Sequence, residues 1–192
     1  MAEGRERILD TAYELFSRNG TRAVGVDRII AEAGTAKMTL YRNFASKDEL
    51  IVAFLAAREE RWTRGWLQQE VERRATEPAQ RLLAIFDVFG EWFTLSDFEG
   101  CSFINVMLEL TDREDPGRVA SVKHLSVIRE FLAGLATEAG VADAQAFAHQ
   151  WHILMKGSIV AAGEGDQEAA KRAQEMGRLL LDDEGPARAG PS

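Results

Sequence analysis

Residues 34–44 read GTAKMTLYRNF, which places two cations, two threonines, an asparagine and a tyrosine behind a glycine suited to end a helix. Ala36, Leu40 and Phe44 recur every four residues, so we expect them to share the inward face of one helix. The other faces carry side chains that suit the floor of a DNA groove and its phosphate walls. These are Lys37, Met38, Thr39, Tyr41, Arg42 and Asn43.

The segment before this stretch predicts a second short helix over residues 26–33, ending at Gly34. Two short helices around a glycine-containing turn match the helix-turn-helix pattern, whose second helix enters the major groove. After it, Ser46 and Glu49 have the spacing of a capping box at the start of the next helix. The positive end of that helix dipole lies beside Lys47, which suits the binding of a phosphate. A solvated amphipathic helix with no DNA partner is the alternative interpretation, because short motifs match often by chance.

The distribution of charge favours a DNA-binding module at the N-terminus. The chain has a net charge of −8, but residues 1–50 hold 8 basic and 8 acidic side chains, whereas residues 51–192 hold 15 and 23. Residues 21–47 include five basic residues and only two acidic ones. A small N-terminal module can therefore meet a polyanion while the acidic remainder stays away from it. A bundle that bound only proteins would not need this basic cluster.

Helical periodicity runs through the whole chain, which contains only four prolines and no long alternation of apolar and polar residues. We predict an all-α protein of about nine helices, with an N-terminal three-helix DNA-binding domain and a C-terminal helical bundle. The expected boundaries are residues 1–47 for DNA binding, 48–183 for ligand binding and dimerisation, and 184–192 for a flexible Gly/Pro-rich tail.

The composition also argues against several classes of protein. A single cysteine, Cys101, excludes an internal disulfide, and neither a signal-peptide-length nor a membrane-spanning apolar run is present, so we expect a soluble cytoplasmic protein with no membrane partner. No nucleophile motif, phosphate loop or HExxH motif occurs, so no enzyme activity, cofactor or metal is predicted. His149 and His152 lie three apart on one helix, but core or interface histidines are the favoured interpretation.

Two segments carry a family resemblance: ILDTAYELFSRNG at residues 8–20 and VDRIIAEAGTAKMTLYRNFASKDEL at residues 26–50. They closely resemble the N-terminal DNA-binding domain of the TetR family of bacterial transcriptional regulators. The resemblance implies that Lys37, Met38 and Thr39 approach base edges or nearby phosphates, and that Thr39, Tyr41 and Lys47 contact the DNA backbone. The predicted DNA-contacting set is completed by Arg28, Thr35, Arg42 and Asn43.

The segment departs from the family pattern at four positions. Thr35 and Ala36 stand where a valine and a serine are common, Gly25 replaces a frequent threonine, and Asn43 occupies a position often filled by histidine. We expect Thr35 to take over capping of the third helix and Gly25 to cap the second. The changes leave the fold credible, and they leave the operator sequence unpredicted.

The same resemblance implies partners for the rest of the chain: a palindromic operator, a second copy bound through the last two helices, and an unknown small-molecule inducer in a C-terminal pocket that releases a repressor. The last two helices carry apolar and small residues at helical spacing, and intrachain core is the alternative interpretation of these stripes. They comprise Phe147, Trp151, Leu154, Ile159 and Ala162, then Ala169, Ala170, Ala173, Met176, Gly177 and Leu180.

The segment DFEGCSFINVMLEL, residues 97–110, resembles a stretch found beside the pocket in a subset of the family. Plain core is the usual role of such aromatic and methionine side chains, and a ligand wall is the alternative. The predicted wall consists of Trp92, Phe93, Cys101, Phe103, Met107, Trp151 and Met155.

Cys101 raises an alternative function, a thiol-based electrophile or redox sensor. A helix N-terminus favours the reactive thiolate form of a cysteine. No lysine or arginine adjoins Cys101 in sequence, and Glu99 is acidic. A small buried hydrophobe is therefore the favoured interpretation.

Overall fold

The structure, a computed structural model, describes residues 2–184 of the chain. Within that span every regular element is helical, which confirms the predicted all-α class. We number nine helices over these residues, with 47–74 counted as one continuous helix. The expected tail falls on residues 185–192, outside the described residues, apart from Glu184.

The helices follow the chain in this order. The first three are α1 (Ala2–Asn19), α2 (Val26–Glu32) and α3 (Lys37–Asn43). Helix α4 covers residues 47–74, as α-helix in Lys47–Arg58, π-helix in Glu59–Gln68 and α-helix again in Gln69–Arg74. The last five are α5 (Pro78–Phe93), α6 (Ser102–Glu109), α7 (Pro116–Glu138), α8 (Ala144–Gly163) and α9 (Ala169–Glu184).

Packing divides the described chain into two compact units, each made of two stretches of sequence. The first unit contains residues 2–62 and 101–125, and the second contains residues 63–100 and 126–184. The three N-terminal helices therefore share a unit with α6 and the beginning of α7. This division describes packing alone, and the functional boundary near residue 47 stays a prediction.

The core of the first unit forms where α1 packs against α2, α3 and α4. Phe54 of α4 lies edge-on to Phe16 and to Tyr13 of α1, with ring centroids 5.5 Å apart in both pairs. Edge-to-face packing of this kind adds to the stability that burial alone provides. Helix α1 carries an apolar stripe at helical spacing, in which Ile8, Ala12, Leu15 and Phe16 are buried and Leu9 is half-buried.

Helix ends in the first unit are set by local hydrogen bonds. Gly20 takes a φ of 75° and donates its N–H to the Phe16 carbonyl oxygen at 3.0 Å, so α1 ends in a left-handed glycine cap. The predicted capping box at α4 forms in its Ser46 half, whereas the Glu49 carboxylate accepts from Ala45, one residue before the N-cap. The Glu49 N–H donates to Ser46 Oγ at 3.1 Å, and the Ala45 N–H donates to Glu49 Oε2 at 2.6 Å.

The second unit is built on close packing among α5, α8 and α9. A Cβ added at Gly177 would lie 2.7 Å from Cη2 of Trp151, so only glycine admits that ring. Gln174 donates to the Leu83 carbonyl oxygen at 3.1 Å and to Asp87 Oδ1 at 2.7 Å. Most of the apolar stripe of the last two helices is intrachain core: Phe147, Trp151, Ile159, Ala169, Ala170, Ala173 and Gly177 are buried.

Among the described residues, no helix is both long enough and apolar enough to cross a membrane.

Candidate functional site

Helix α3 is anchored by one face and presents the other to solvent. Leu40 and Phe44 are fully buried, at 0% exposure. On the opposite side Met38 is 84% exposed and Tyr41 is 44% exposed. Lys37 and Arg42 are exposed as well, whereas Thr39 and Asn43 are half-buried. The outer face therefore carries the side chains that the sequence places there, in a position to meet a partner.

The start of α3 differs from the sequence prediction. Ala36 is exposed and is the N-cap residue, with an extended backbone (φ −87°, ψ 149°), so its predicted inward orientation is wrong. No side chain caps the helix, so capping by Thr35 is wrong too. The physical reason is that α3 begins three residues after Gly34, and only Leu40 and Phe44 fall within its period. Gly25, by contrast, is the N-cap of α2 as expected.

Two of the predicted DNA-contacting cations have exposed acidic neighbours. Arg28 Nε lies 2.9 Å from Glu32 Oε1, and Lys37 Nζ lies 3.3 Å from Asp27 Oδ1. The side chains in these pairs are between 48% and 87% exposed. Ion pairs at such exposure contribute little stability, so a phosphate can replace either carboxylate at little cost.

Asn43 and Lys47 are more constrained than the outer residues of α3. The Asn43 side-chain amide donates to the Thr39 carbonyl oxygen at 2.7 Å, which fixes its orientation. Lys47, the first residue of α4, is half-buried. Burial lowers the pKa of Lys47 below its ordinary value, and the carboxylates of Asp48 and Glu109 oppose that shift.

The beginning of α1 adjoins the same face, which the sequence reasoning missed. A depression of about 370 Å³ lies between α1 and α3. Its lining residues are Glu3, Gly4, Arg7, Thr39, Arg42 and Asn43. The basic residues of the first helix were the available signal, since Arg5 and Arg7 precede its apolar stripe. Arg5 lies over the Phe44 ring, with 4.8 Å between its guanidinium carbon and the ring centroid.

Helix α6 contacts the turn between α1 and α2. Oε2 of Glu109 accepts hydrogen bonds from the Thr21 N–H at 2.8 Å, the Thr21 hydroxyl at 2.6 Å and the Arg22 N–H at 3.2 Å. These bonds join a helix far along the chain to the N-terminal helices within the first unit. The sequence contains no local signal for this contact.

Four of the seven predicted wall residues lie in the second unit. Trp92 packs against Phe89, Phe93 and Phe98 with ring centroids 4.9–5.5 Å apart, and against Trp66 at 6.5 Å. Trp151 stacks on Phe147 at 5.2 Å. Its buried Nε1 has no hydrogen-bond partner among the described residues. Met155 is also buried. The role of these residues in ligand binding stays a prediction.

The other three wall residues, Cys101, Phe103 and Met107, belong to the first unit. Phe103 is buried and stacks on His124, with ring centroids 5.2 Å apart, and His124 Nδ1 is hydrogen-bonded to Glu59. Met107 is half-buried. The Cys101 side chain is 8% exposed at the N-cap of α6. Burial at this level fits a small core residue, and nothing observed at the site supports a thiol switch.

The two histidines of α8 differ in environment, since His149 is exposed and His152 is buried. Burial lowers the pKa of His152 to about 3, and Lys156, Arg129 and His149 add to the shift by charge repulsion. In the part of the chain that the structure describes, no three His, Cys, Asp or Glu side chains converge as metal ligands would. His152 is therefore a neutral core residue at physiological pH.

Comparison with known proteins gives the class of this chain. Residues 8–54 match the family described as "Bacterial regulatory proteins, tetR family", and residues 78–176 match the "Tetracyclin repressor-like, C-terminal domain". The chain is a helix-turn-helix transcriptional regulator. It belongs to the TetR family, which confirms the resemblance found in the sequence.

Solved structures of similar proteins agree over nearly the whole chain. A TetR-type transcriptional regulator from Streptomyces avermitilis is 28% identical, with a TM-score of 0.84 over 94% of this chain and 97% of that one. A TetR-family regulator from Streptomyces coelicolor is 27% identical, with a TM-score of 0.85 over 97% and 98%.

A curated relative aligns over a shorter part of the chain. The HTH-type transcriptional activator FasR of Mycolicibacterium smegmatis is 34% identical over 102 residues, which are 53% of this chain and 45% of FasR. The chain thus spans less than half the length of this relative.

Proposed function

We propose that the protein is a homodimeric transcriptional repressor that binds a palindromic operator through α3 and leaves it when a small, largely apolar ligand binds. Residues 1–47 bind DNA, and residues 48–183 sense the ligand and dimerise. The observation that carries the proposal is the division of α3 into a buried face, Leu40 and Phe44, and an outer face with Met38 84% exposed. The outer face combines Met38 with Lys37 and Arg42, an apolar group for a base edge and cations for phosphates.

Each outer residue has a part in the proposed contact. Lys37, Met38 and Thr39 approach base edges or nearby phosphates, where a methionine side chain can touch a thymine methyl group. Tyr41 and Lys47 contact the backbone, which positions α3 without reading sequence. Arg28, Thr35, Arg42 and Asn43 complete the contact surface.

The last two helices support dimerisation by a face that intrachain packing leaves exposed. On α8, Ile153 is 65% and Val160 is 54% exposed; on α9, Met176 is 56% and Leu179 is 70% exposed. Ile153 and Val160 lie seven residues apart, so they share one side of α8. Burial of this face by a second copy would remove exposed apolar surface from water. In the dimer, the two α3 helices would enter major grooves roughly 34–36 Å apart, or a multiple of that.

The aromatic clusters around Trp92 and Trp151 support an apolar ligand. Trp151 Nε1 is buried without a partner, and a buried donor left unpaired costs free energy. A ligand with one acceptor atom on an apolar body would satisfy that donor. Such a ligand releases DNA only to the extent that it binds one conformer more tightly than the other.

Fluorescence anisotropy tests the DNA-binding part of the proposal. The purified protein is titrated against a labelled duplex from upstream of its own gene and against a scrambled duplex, over a salt series. The proposal predicts at least roughly a thousandfold preference for the native duplex and an affinity that falls steeply with salt. Equal, weak binding to both duplexes, repeated with duplexes that tile the neighbouring genes, would reject it.

Two further measurements test the state and the direction of regulation. Sedimentation equilibrium of wild type and of the double variant Ile153→Asp, Leu179→Asp tests the dimer, since charges placed on the proposed interface should yield a monomer.

A reporter driven by the bound promoter tests repression against activation, because the relative FasR carries the name of an activator. Higher reporter output on deletion of the regulator supports repression, and lower output contradicts it.

A further inference from the structure

The depression between α1 and α3 brings together basic side chains from two separate helices. Arg7 comes from the second turn of α1, and Arg42 comes from the last turn of α3. The Asn43 amide and the Thr39 side chain line the same space of about 370 Å³. Guanidinium, amide and hydroxyl groups are the donors that bind phosphate oxygens in proteins.

Both guanidinium groups are available to an external partner. Arg7 and Arg42 are exposed, and within residues 2–184 neither guanidinium forms a hydrogen bond or an ion pair. Arg28 and Lys37, on the neighbouring part of the surface, are each paired with a carboxylate. The Arg7 and Arg42 guanidinium groups are therefore less neutralised by direct ion pairs than Arg28 and Lys37 are.

The depression is fixed by packing below it. Ile8, next to Arg7, is completely buried, and Leu40 and Phe44 hold α3 in the same core. Helix α1 packs against α3, and a Cβ added at Gly4 would lie 3.7 Å from Thr39 Cγ2, so the two backbones approach closely there. The two arginines therefore stand on elements that do not need to rearrange before an anion binds.

We propose that this depression binds a phosphate of the DNA backbone, with Arg7 of α1 and Arg42 of α3 as its charged donors. The inference rests on the proposed function and deepens it, because it adds α1 to the DNA-contacting surface. The contact is independent of base sequence and strengthens binding to every duplex alike. Glu3 lines the same depression, and its carboxylate repels the phosphate and limits the affinity.

Two substitutions of opposite sign test the site in the anisotropy assay, on the native and the scrambled duplex. Arg7→Ala should weaken binding to both duplexes about five- to tenfold and reduce the slope of log affinity against log salt by about one. Glu3→Gln should strengthen binding to both. The Thr11 hydroxyl donates to the backbone oxygen of Arg7, at 2.8 Å, so this bond survives the alanine substitution.

Arg18→Ala is the matched control, because it removes the same charge from the same helix. Arg18 lies 3.4 Å from Glu14 and does not line the depression. The proposal is overturned if Arg7→Ala and Arg18→Ala lower affinity equally, or if Glu3→Gln leaves it unchanged while thermal unfolding shows all variants folded. Binding to the scrambled duplex tests the phosphate site separately from operator recognition. Loss of native preference in wild type rejects operator recognition, whereas the effect of Arg7 on non-specific binding still decides the phosphate site.

Discussion

Glu109, at the end of α6, accepts hydrogen bonds from both the backbone N–H and the hydroxyl of Thr21, a residue 88 positions earlier in the chain. The distances are 2.8 and 2.6 Å, and Thr21 is 1% exposed. The carboxylate thus holds the turn that leads into the helix-turn-helix. A displacement of α6 would therefore act directly on this turn.

Loss of the Glu109 carboxylate should destabilise the fold. Glu109→Ala leaves the Thr21 hydroxyl and two backbone N–H groups without their partner, so we expect the free energy of unfolding to fall by about 1–3 kcal/mol. Thr21→Val should cost about 1 kcal/mol. Urea unfolding of the two single variants and the double variant measures their coupling. Strict additivity of the two effects would show that the bond between the Thr21 hydroxyl and Glu109 contributes no stability in solution.

Gly20 should not tolerate a side chain. Its φ of 75° strains any L-residue, and an added Cβ would lie 2.1 Å from Glu109 Oε1, so Gly20→Ala must also disturb the Glu109 bonds. We expect a loss of about 1–3 kcal/mol in the free energy of unfolding. Gly134→Ala is the control, since it lies within α7 with nothing within 4 Å of the added Cβ. It should raise stability by about 0.5–1 kcal/mol, and equal behaviour of the two variants would refute the prediction.

Gly177 should be essential for the position of Trp151. An added Cβ would lie 2.7 Å from Cη2 of the indole, which is held against Phe147, so Gly177→Ala forces the ring or α9 to move. Overpacking of this kind costs about 1–3 kcal/mol. Gly90→Ala is the control, because Gly90 lies within α5 and its added Cβ would meet Ala170 at an ordinary 3.7 Å, so it should gain about 0.5–1 kcal/mol as Gly134→Ala does. An unchanged midpoint for Gly177→Ala would mean that the two helices are further apart in solution.

The buried His152 should make the fold sensitive to acid. Its folded-state pKa of about 3 lies below the unfolded value of 6.5, so the unfolded chain binds a proton that the folded one excludes. The contribution of neutral His152 to the free energy of unfolding is largest above pH 6.5, and it decreases as the pH falls toward 3. Between pH 7.5 and pH 5 the loss is about 2 kcal/mol.

Urea midpoints at the two pH values measure that loss. His152→Leu should flatten the acid dependence, because the leucine has no proton to bind. His149→Leu, an exposed neighbour on α8, should leave most of the dependence in place. An acid limb that is identical in wild type and His152→Leu would contradict the assigned burial.

The sequence predicted those features that depend on local periodicity. Leu40 and Phe44 are buried and Met38 is exposed, because one helix period sorts these residues into two faces. The start of α3 was misjudged at Ala36, since extended residues after Gly34 carry no periodic signal. The roles assigned to the DNA-contacting and ligand-wall residues stay predictions.

The features that the sequence did not predict are tertiary. Arg7 and Arg42 line one depression only because α1 packs against α3, and Glu109 bonds to Thr21 across 88 positions. From sequence, the apolar stripes of α8 and α9 could be explained either as a dimer interface or as intrachain core. The structure shows that Trp151 is buried in the intrachain core, whereas Ile153 is exposed. Helical spacing alone does not distinguish these two environments.

The most direct measurement compares wild type with the double variant Lys37→Ala, Tyr41→Ala on native and scrambled duplexes by fluorescence anisotropy. Both residues are exposed on α3 and neither supports its core, so the variant should keep the wild-type melting temperature. We expect the variant to bind the native duplex much more weakly than wild type does, because it lacks the Tyr41 contact to the backbone and the Lys37 contact to base edges or phosphates. A folded double variant that binds the native duplex as tightly as wild type would show that α3 does not contact the operator.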